Sequence, residues 1–119
     1  MTFAAAGAAL ALASAPAFTL TAAGHAPKTG THWPYSVSVR TGGKPAAARI
    51  TAQIVDPIGG VHAVDFGLTT KPVRNWAFKG TFHDFVIWPA DSRGIPLTFR
   101  LTVTSGGTKK VIAYHVTPR

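Results

Sequence analysis

The chain has 119 residues, the length of one domain, and it contains no cysteine, which excludes a disulfide framework and thiolate chemistry. Twelve Lys and Arg residues against four Asp and no Glu give a formal net charge of +8, which predicts attraction to polyanions. Charged residues make up only 13% of the chain, so the composition is not that of a disordered polyelectrolyte.

The first 26 residues differ from the rest, because they contain no Lys, Arg, Asp or Glu. The Ala/Leu run over residues 4–13 has the length of a signal-peptide hydrophobic region. Two small-x-small motifs follow it, Ala13-Ser14-Ala15 and Ala15-Pro16-Ala17. The second is the better cleavage site, because the first would place Pro16 directly after the cut. We therefore expect residues 1–26 to be an export leader with its linker.

The leader hypothesis leaves the cleavage site open and has two alternatives. A later cut after Ala23 or Ala26 is also open. The start, Met1-Thr2-Phe3, lacks the basic residues of a signal peptide, so an Ala-rich segment of the mature protein is the alternative. A transmembrane anchor is not expected, because the apolar run is short and is broken at Pro16. The expected location is the cell envelope or the outside of the cell.

Past the leader, Gly/Pro-rich turn signals recur at short intervals, and no stretch has the apolar period of a helix. Short alternating runs between turns predict an all-β sandwich or barrel. The run over residues 81–88 is apolar on both faces, which predicts a central strand. The predicted strands are residues 33–39, 49–54, 61–66, 76–78 and 81–88, followed by two hairpin arms within 97–117.

The hairpin is the strongest local signal in the sequence. Gly106-Gly107 suits the positive φ angles of a two-residue type I′ turn, which would place Ser105 opposite Thr108. The same register pairs Leu97 with Val116 and brings nearly every large apolar side chain to one face. A slip of one residue would move that face to solvent, so the register is strongly specified.

The sequence resembles bacterial immunoglobulin-like or fibronectin-III-like β-sandwich domains of secreted proteins over residues 28–119. The resemblance implies an antiparallel sandwich of about seven strands over residues 27–119, acting as a binding or spacer module. The chain lacks the Cys pair of immunoglobulin domains, and Tyr114 is not placed as a tyrosine corner. The motifs that carry the resemblance are Trp-x-Tyr-x-Val-x-Val at 33–39, Gly43-Lys44-Pro45, Gly80-Thr81-Phe82, Val86-Ile87-Trp88-Pro89, Gly94-Ile95-Pro96-Leu97 and Tyr114-His115-Val116.

Histidine is the only residue type that suggests a reactive set. None of the five His residues is spaced from another as metal ligands on one element usually are. His62 and His83 could still converge from neighbouring strands, with Asp65 or Asp84 as oxygen ligands. The alternative function is therefore a secreted copper- or zinc-binding sandwich, and the competing interpretation is ordinary surface imidazoles.

Catalytic signatures are lacking in the sequence. There is no Gly-x-Ser-x-Gly motif, and the four Asp residues are scattered. His83 and Asp84 are adjacent on one strand, so their side chains point to opposite faces and cannot orient each other. We expect no enzymatic activity and no cofactor.

The basic residues are dispersed, with two concentrations at predicted turns. Arg40 and Lys44 flank one turn, and Lys109 and Lys110 follow another. If the two turns share one end of the sandwich, these four residues form a basic tip that would contact an anionic cell-wall polymer or a protein partner. Specific nucleic-acid recognition is not expected, because the cations are not interleaved with aromatic residues on one face. The alternative is a solubilising charge coat.

A third hypothesis is a small carbohydrate-binding sandwich that uses exposed indole rings. The candidates are Trp33, Trp76 and Trp88. Burial of each ring in the core is the competing interpretation.

Overall fold

A computed structural model describes residues 15–119, and most of this range lies in nine strands. One 3-10 turn, Ala90–Ser92, interrupts the connection between the seventh and eighth strands. The described residues include no helix long and apolar enough to cross a membrane. The strands are β1 (Pro16–Ala22), β2 (His32–Thr41), β3 (Lys44–Pro45), β4 (Ala47–Val55), β5 (Val61–Ala63), β6 (Trp76–Lys79), β7 (Thr81–Ile87), β8 (Leu97–Ser105) and β9 (Thr108–Val116).

The strands form two antiparallel sheets that pack face to face. In the first sheet β2 is central, with β1 along one edge and β7 and β3 along the other. In the second sheet β4 and β8 are central, β9 lies at one edge, and β5 and β6 share the opposite edge. The predicted all-β antiparallel sandwich is confirmed, with nine strands where about seven were predicted.

Period-two alternation places the core between the sheets. Along β2, the side chains of Trp33, Tyr35, Val37 and Val39 are buried. Their partners across the core come from the second sheet, where Phe99 is fully buried and makes edge-to-face contacts with Trp33 and Tyr35. The aromatic and β-branched residues of alternating positions therefore supply the core, as the sequence pattern predicts.

The β8–β9 hairpin has the predicted register at every pair. Leu97 lies opposite Val116, and Ser105 lies opposite Thr108. The turn residues Gly106 and Gly107 have φ angles of 55° and 81°, as a type I′ turn requires.

The predicted boundary between leader and domain, at residues 26 and 27, is wrong. β1 pairs with β2 along its whole length, from Pro16 opposite Thr41 to Ala22 opposite Tyr35. The segment after β1 is also part of the domain, since the His25 carbonyl accepts a hydrogen bond from the Thr117 amide. The sandwich therefore begins at Pro16, and the predicted cut after residue 17, like the later ones, would remove part or all of an edge strand.

The export leader itself remains a prediction. The hydrophobic run over residues 4–13 and the start at residues 1–3 lie outside the described residues. A cut at the Ala13-Ser14-Ala15 motif is the one that leaves all of β1 in place.

β7 is an edge strand, not the central strand that its composition predicted. It pairs with β2 on one side only. Its outward-facing Phe85 stacks on His32 at 3.9 Å between ring centroids, and the tip of the same ring faces Gly67 in the β5–β6 connection. The apolar outer face of β7 is covered by a neighbouring side chain and a loop, which explains why its sequence resembles that of a central strand.

Candidate functional site

The two predicted basic turns lie at the same end of the sandwich. In the first sheet, the β2–β3 turn brings Lys44 opposite Thr41, next to Arg40. In the second, the β8–β9 turn adjoins the start of β4, where the Ser105 hydroxyl donates a hydrogen bond to the Ala47 carbonyl at 2.7 Å. Because β3 leads directly into β4 through Ala46, both turns project from one end.

Backbone geometry fixes how these turns present their cations. Gly42 and Gly43 have φ angles of 60° and 76°, so the β2–β3 turn is a tight two-residue turn like the one at Gly106-Gly107. Tight turns fix the positions of the strand residues that flank them. Arg40, Lys44, Lys109 and Lys110 are all exposed there.

A fifth cation, Lys79, belongs to the same end and was not predicted from the sequence. It is the last residue of β6, opposite Ala47, and precedes the crossover to β7 at Gly80. The amide of Gly80 donates to the Ala46 carbonyl, and its own carbonyl accepts from the Val39 amide, so this crossover is tied to the β3–β4 corner. We call the exposed set Arg40, Lys44, Lys79, Lys109 and Lys110 the basic end.

No carboxylate of the described residues lies at the basic end. Asp56 follows β4 at the opposite end, and Asp91 lies in the 3-10 turn after β7. Asp84 pairs with Tyr35, near the far end of β2, and Asp65 bridges to Pro72 in the β5–β6 connection. Positive charge is therefore concentrated at one end without compensating ion pairs, which is the arrangement that attracts an anionic partner.

A shallow cleft adjoins the basic end on the second sheet. Its volume is about 340 Å³. Its walls are formed by the start of β4, by β6, by the end of β8 and by the β8–β9 turn. Apart from Arg49 and Phe78, the lining is small residues and backbone. The small side chains leave the backbone of this cleft accessible, and Arg49 is the cation of its lining.

The structure does not bring the predicted metal ligands His62 and His83 together. His62 lies on β5, at the edge of the second sheet, whereas His83 lies on β7 in the first sheet, on its exposed face. Within residues 15–119, no group of three or more His and Asp side chains is arranged to hold a metal ion. The predicted convergence of His62 and His83 from neighbouring strands is wrong, because their strands belong to different sheets.

His62 has a different partner. Its Nε2 lies 2.8 Å from Oδ2 of Asp56, and Oδ1 of Asp56 accepts hydrogen bonds from the amides of Ile58 and Gly60. These contacts, that with His62 foremost, lower the pKa of Asp56. The pair closes the β4–β5 turn and fixes its shape, as expected of an Asp that accepts backbone N–H groups.

The remaining ionisable pair lies on the inner face of the first sheet. The Tyr35 hydroxyl donates a long hydrogen bond of 3.4 Å to Oδ2 of Asp84. Burial raises the pKa of both groups, and for Tyr35 the neighbouring carboxylate raises it further. Asp84 is an inward-pointing charge on an edge strand, a feature that discourages edge-to-edge pairing with another chain.

Two of the three tryptophans proposed for carbohydrate binding are in the core. Trp33 and Trp88 are buried, and they contact each other edge-to-face. Trp76 is 41% exposed, with one face near the Lys71 ammonium and its edge against Phe66. A single exposed indole ring is a poor platform for a sugar chain, so the structure does not favour this hypothesis.

Comparison with known proteins adds little to this geometry. Neither a protein family nor a curated protein matches the sequence. Among solved structures, the chain is similar to a DUF4466 family protein from Parabacteroides merdae, with 15% sequence identity and a TM-score of 0.48. The similarity covers 89% of this chain and 44% of that one, so the chain spans less than half the length of this structural neighbour.

Proposed function

We propose that this chain is a non-enzymatic interaction domain of the cell envelope or extracellular space, and that its basic end binds an anionic polymer such as a cell-wall phosphate polymer. The observation that carries the proposal is the meeting of five exposed cations at one end, with all four carboxylates elsewhere. The Ala-rich leader supports the extracellular location.

Electrostatics favours a polymer over a small anion. The cations are on separate turns and on exposed side chains, so each contact with an anion contributes little by itself. A chain of repeating phosphates can engage several turns at once, and the contacts then combine as in any multivalent interaction. Binding of this kind weakens steeply with salt, because exposed charges are screened within about 10 Å at 0.1 M ionic strength.

The test is retention on immobilised poly(glycerol phosphate) at increasing NaCl concentration. We compare the wild-type chain with a variant that replaces Arg40, Lys44, Lys109 and Lys110 by Ser. The matched control replaces four cations outside the basic end by Ser, namely Lys28 and Arg93 at the opposite end and Lys71 and Arg74 in the β5–β6 connection. Both variants lose the same formal charge, so only the position of the charge differs.

The proposal predicts that the variant of the basic end binds roughly 30-fold more weakly at low salt, whereas the control changes roughly threefold or less. Equal weakening by the two variants would show that net charge, and not the basic end, determines binding. Retention of the wild type that does not fall with salt would contradict an electrostatic contact altogether.

A further inference from the structure

The opposite end of the sandwich carries a second surface, an open apolar cleft of about 640 Å³. It lies between the β4–β5 turn and the long β7–β8 connection, where the two sheets separate. Trp88 lies at its base. Its apolar walls are formed by Ile54, Pro57, Ile58, Pro89, Ile95 and Leu97.

The apolar rim is more exposed than a closed domain requires. Ile58, at the tip of the β4–β5 turn, is 94% exposed, and Ile95 on the facing connection is 37% exposed. A single exposed aliphatic residue is ordinary, but two on facing walls of one cleft form a contiguous apolar surface. Burial of this surface by a partner would be favourable.

The side chain of Trp88, one of the residues that line the cleft, carries a buried donor without a partner. Trp88 is fully buried, and its Nε1 has no hydrogen-bond partner among the described residues. The other core indole, that of Trp33, donates to the Gly24 carbonyl at 2.9 Å. Buried donors without a partner are rare in folded proteins, but this one is enclosed, so an occupant of the cleft meets the aliphatic walls and not the indole donor.

The charge around the cleft is opposite to that of the rest of the molecule. Two of the four Asp residues, Asp56 and Asp91, line it, although the chain carries a net charge of +8. The Asp56 carboxylate is fixed by two backbone amides and His62, and Asp91 is exposed on the 3-10 turn. The nearby guanidinium of Arg93 is directed to the Thr29 hydroxyl, which it contacts at 3.0 Å. An occupant with an apolar body and positive charge complements this surface.

We propose that the cleft binds a segment of a partner protein in which an aromatic or aliphatic side chain is flanked by Lys or Arg. The apolar side chain enters between Ile58 and Ile95, and the flanking cations approach Asp56 and Asp91. A volume of about 640 Å³ is within the range of ligand sites, and it accommodates two or three residues. The proposal is independent of polymer binding at the basic end, and the two surfaces would let the domain bridge two partners.

Three acetylated and amidated tripeptides test the proposal by isothermal titration and by NMR shifts of the isoleucine methyl groups of the whole chain. Lys-Phe-Lys is the probe, Glu-Phe-Glu reverses its charge, and Lys-Ser-Lys removes its apolar side chain. We expect Lys-Phe-Lys to bind in the millimolar range or tighter and at least about tenfold more tightly than either control. Its shifts should be centred on Ile58 and Ile95.

Matched variants locate the site. Ile58→Ser and Asp91→Asn should each weaken binding of Lys-Phe-Lys at least about threefold. Leu68→Ser and Asp65→Asn, which change a largely exposed aliphatic residue and an exposed carboxylate outside the cleft, should leave it unchanged.

The proposal is overturned by equal binding of Glu-Phe-Glu or of Lys-Ser-Lys, by equal effects of the cleft and control variants, or by no binding up to about 5 mM peptide. These results do not depend on polymer binding, which uses the other end of the domain.

Discussion

At Gly67, one added methyl group tests how closely the β5–β6 connection packs on the outer face of β7. Its φ angle is 37°, and a Cβ built there would lie 2.6 Å from Cζ and 2.8 Å from Cε1 of Phe85. Gly42, in the β2–β3 turn, has a φ angle of 60° and no atom within 4 Å of its Cβ position. Comparing Gly67→Ala with Gly42→Ala therefore separates the cost of a left-handed backbone from the cost of a steric clash.

The magnitudes follow from the two environments. A left-handed conformation costs an L-residue about 1–2 kcal/mol. Replacing Gly by Ala also stabilises the fold by about 0.4–1 kcal/mol, because it lowers the conformational entropy of the unfolded chain. Gly42→Ala should therefore lower the free energy of unfolding by about 1.6 kcal/mol at most. Gly67→Ala carries the same terms and must also displace the Phe85 ring from its stack on His32, which adds about 1–3 kcal/mol.

Urea unfolding followed by tryptophan fluorescence measures both variants under one condition. We expect Gly67→Ala to be less stable than Gly42→Ala by at least about 1 kcal/mol. Equal free energies of unfolding would refute the close packing of the β5–β6 connection on β7. Replacing Phe85 by Leu as well should recover part of the difference, because the atoms that clash are removed.

Three further predictions concern the boundary, the inner carboxylate and the core. Relative to a chain that lacks residues 1–15, one that lacks residues 1–23 should melt about 10 °C lower, because it loses β1; equal melting temperatures would restore the boundary at residue 26. Asp84→Asn should raise the free energy of unfolding at pH 7. This gain should disappear below about pH 4, because the raised pKa of Asp84 penalises the fold only above the unfolded-state pKa; a gain that does not vary with pH would contradict it. Phe99→Ala should cost about 3–5 kcal/mol, and a cost below about 1 kcal/mol would contradict its central position in the core.

Local signals predicted the hairpin in full. The Gly106-Gly107 turn fixes the pairing, and strict alternation on both arms excludes any other register. Both pieces of information lie within residues 97–117, so no contact distant in sequence is needed.

β1 was missed because the same residues satisfy two patterns. Small and apolar residues around Pro16–Ala22 fit a signal-peptide cleavage region, and they also alternate as an edge strand. The difference lies in the pairing of β1 with residues 35–41 of β2, which composition alone does not reveal.

The sequence also does not reveal which of the two sheets each strand joins. The metal hypothesis treated β5 and β7 as neighbours, but the β6–β7 crossover at Gly80 passes from the second sheet to the first. The same crossover brings Lys79 to the basic end, which explains why this cation was not predicted with Arg40 and Lys44. For the same reason, the sequence predicts the two basic turns but not that they lie at one end of the sandwich.

An amide NMR titration of the whole chain with soluble poly(glycerol phosphate) tests directly whether the basic end is the polymer-binding surface. If the basic end binds the polymer, shifts are concentrated at Thr41–Lys44, Lys79–Gly80 and Gly106–Lys110, and about 0.5 M NaCl abolishes them. Shifts spread evenly over all basic residues, or centred on Lys28 and Arg93 at the opposite end, would contradict it.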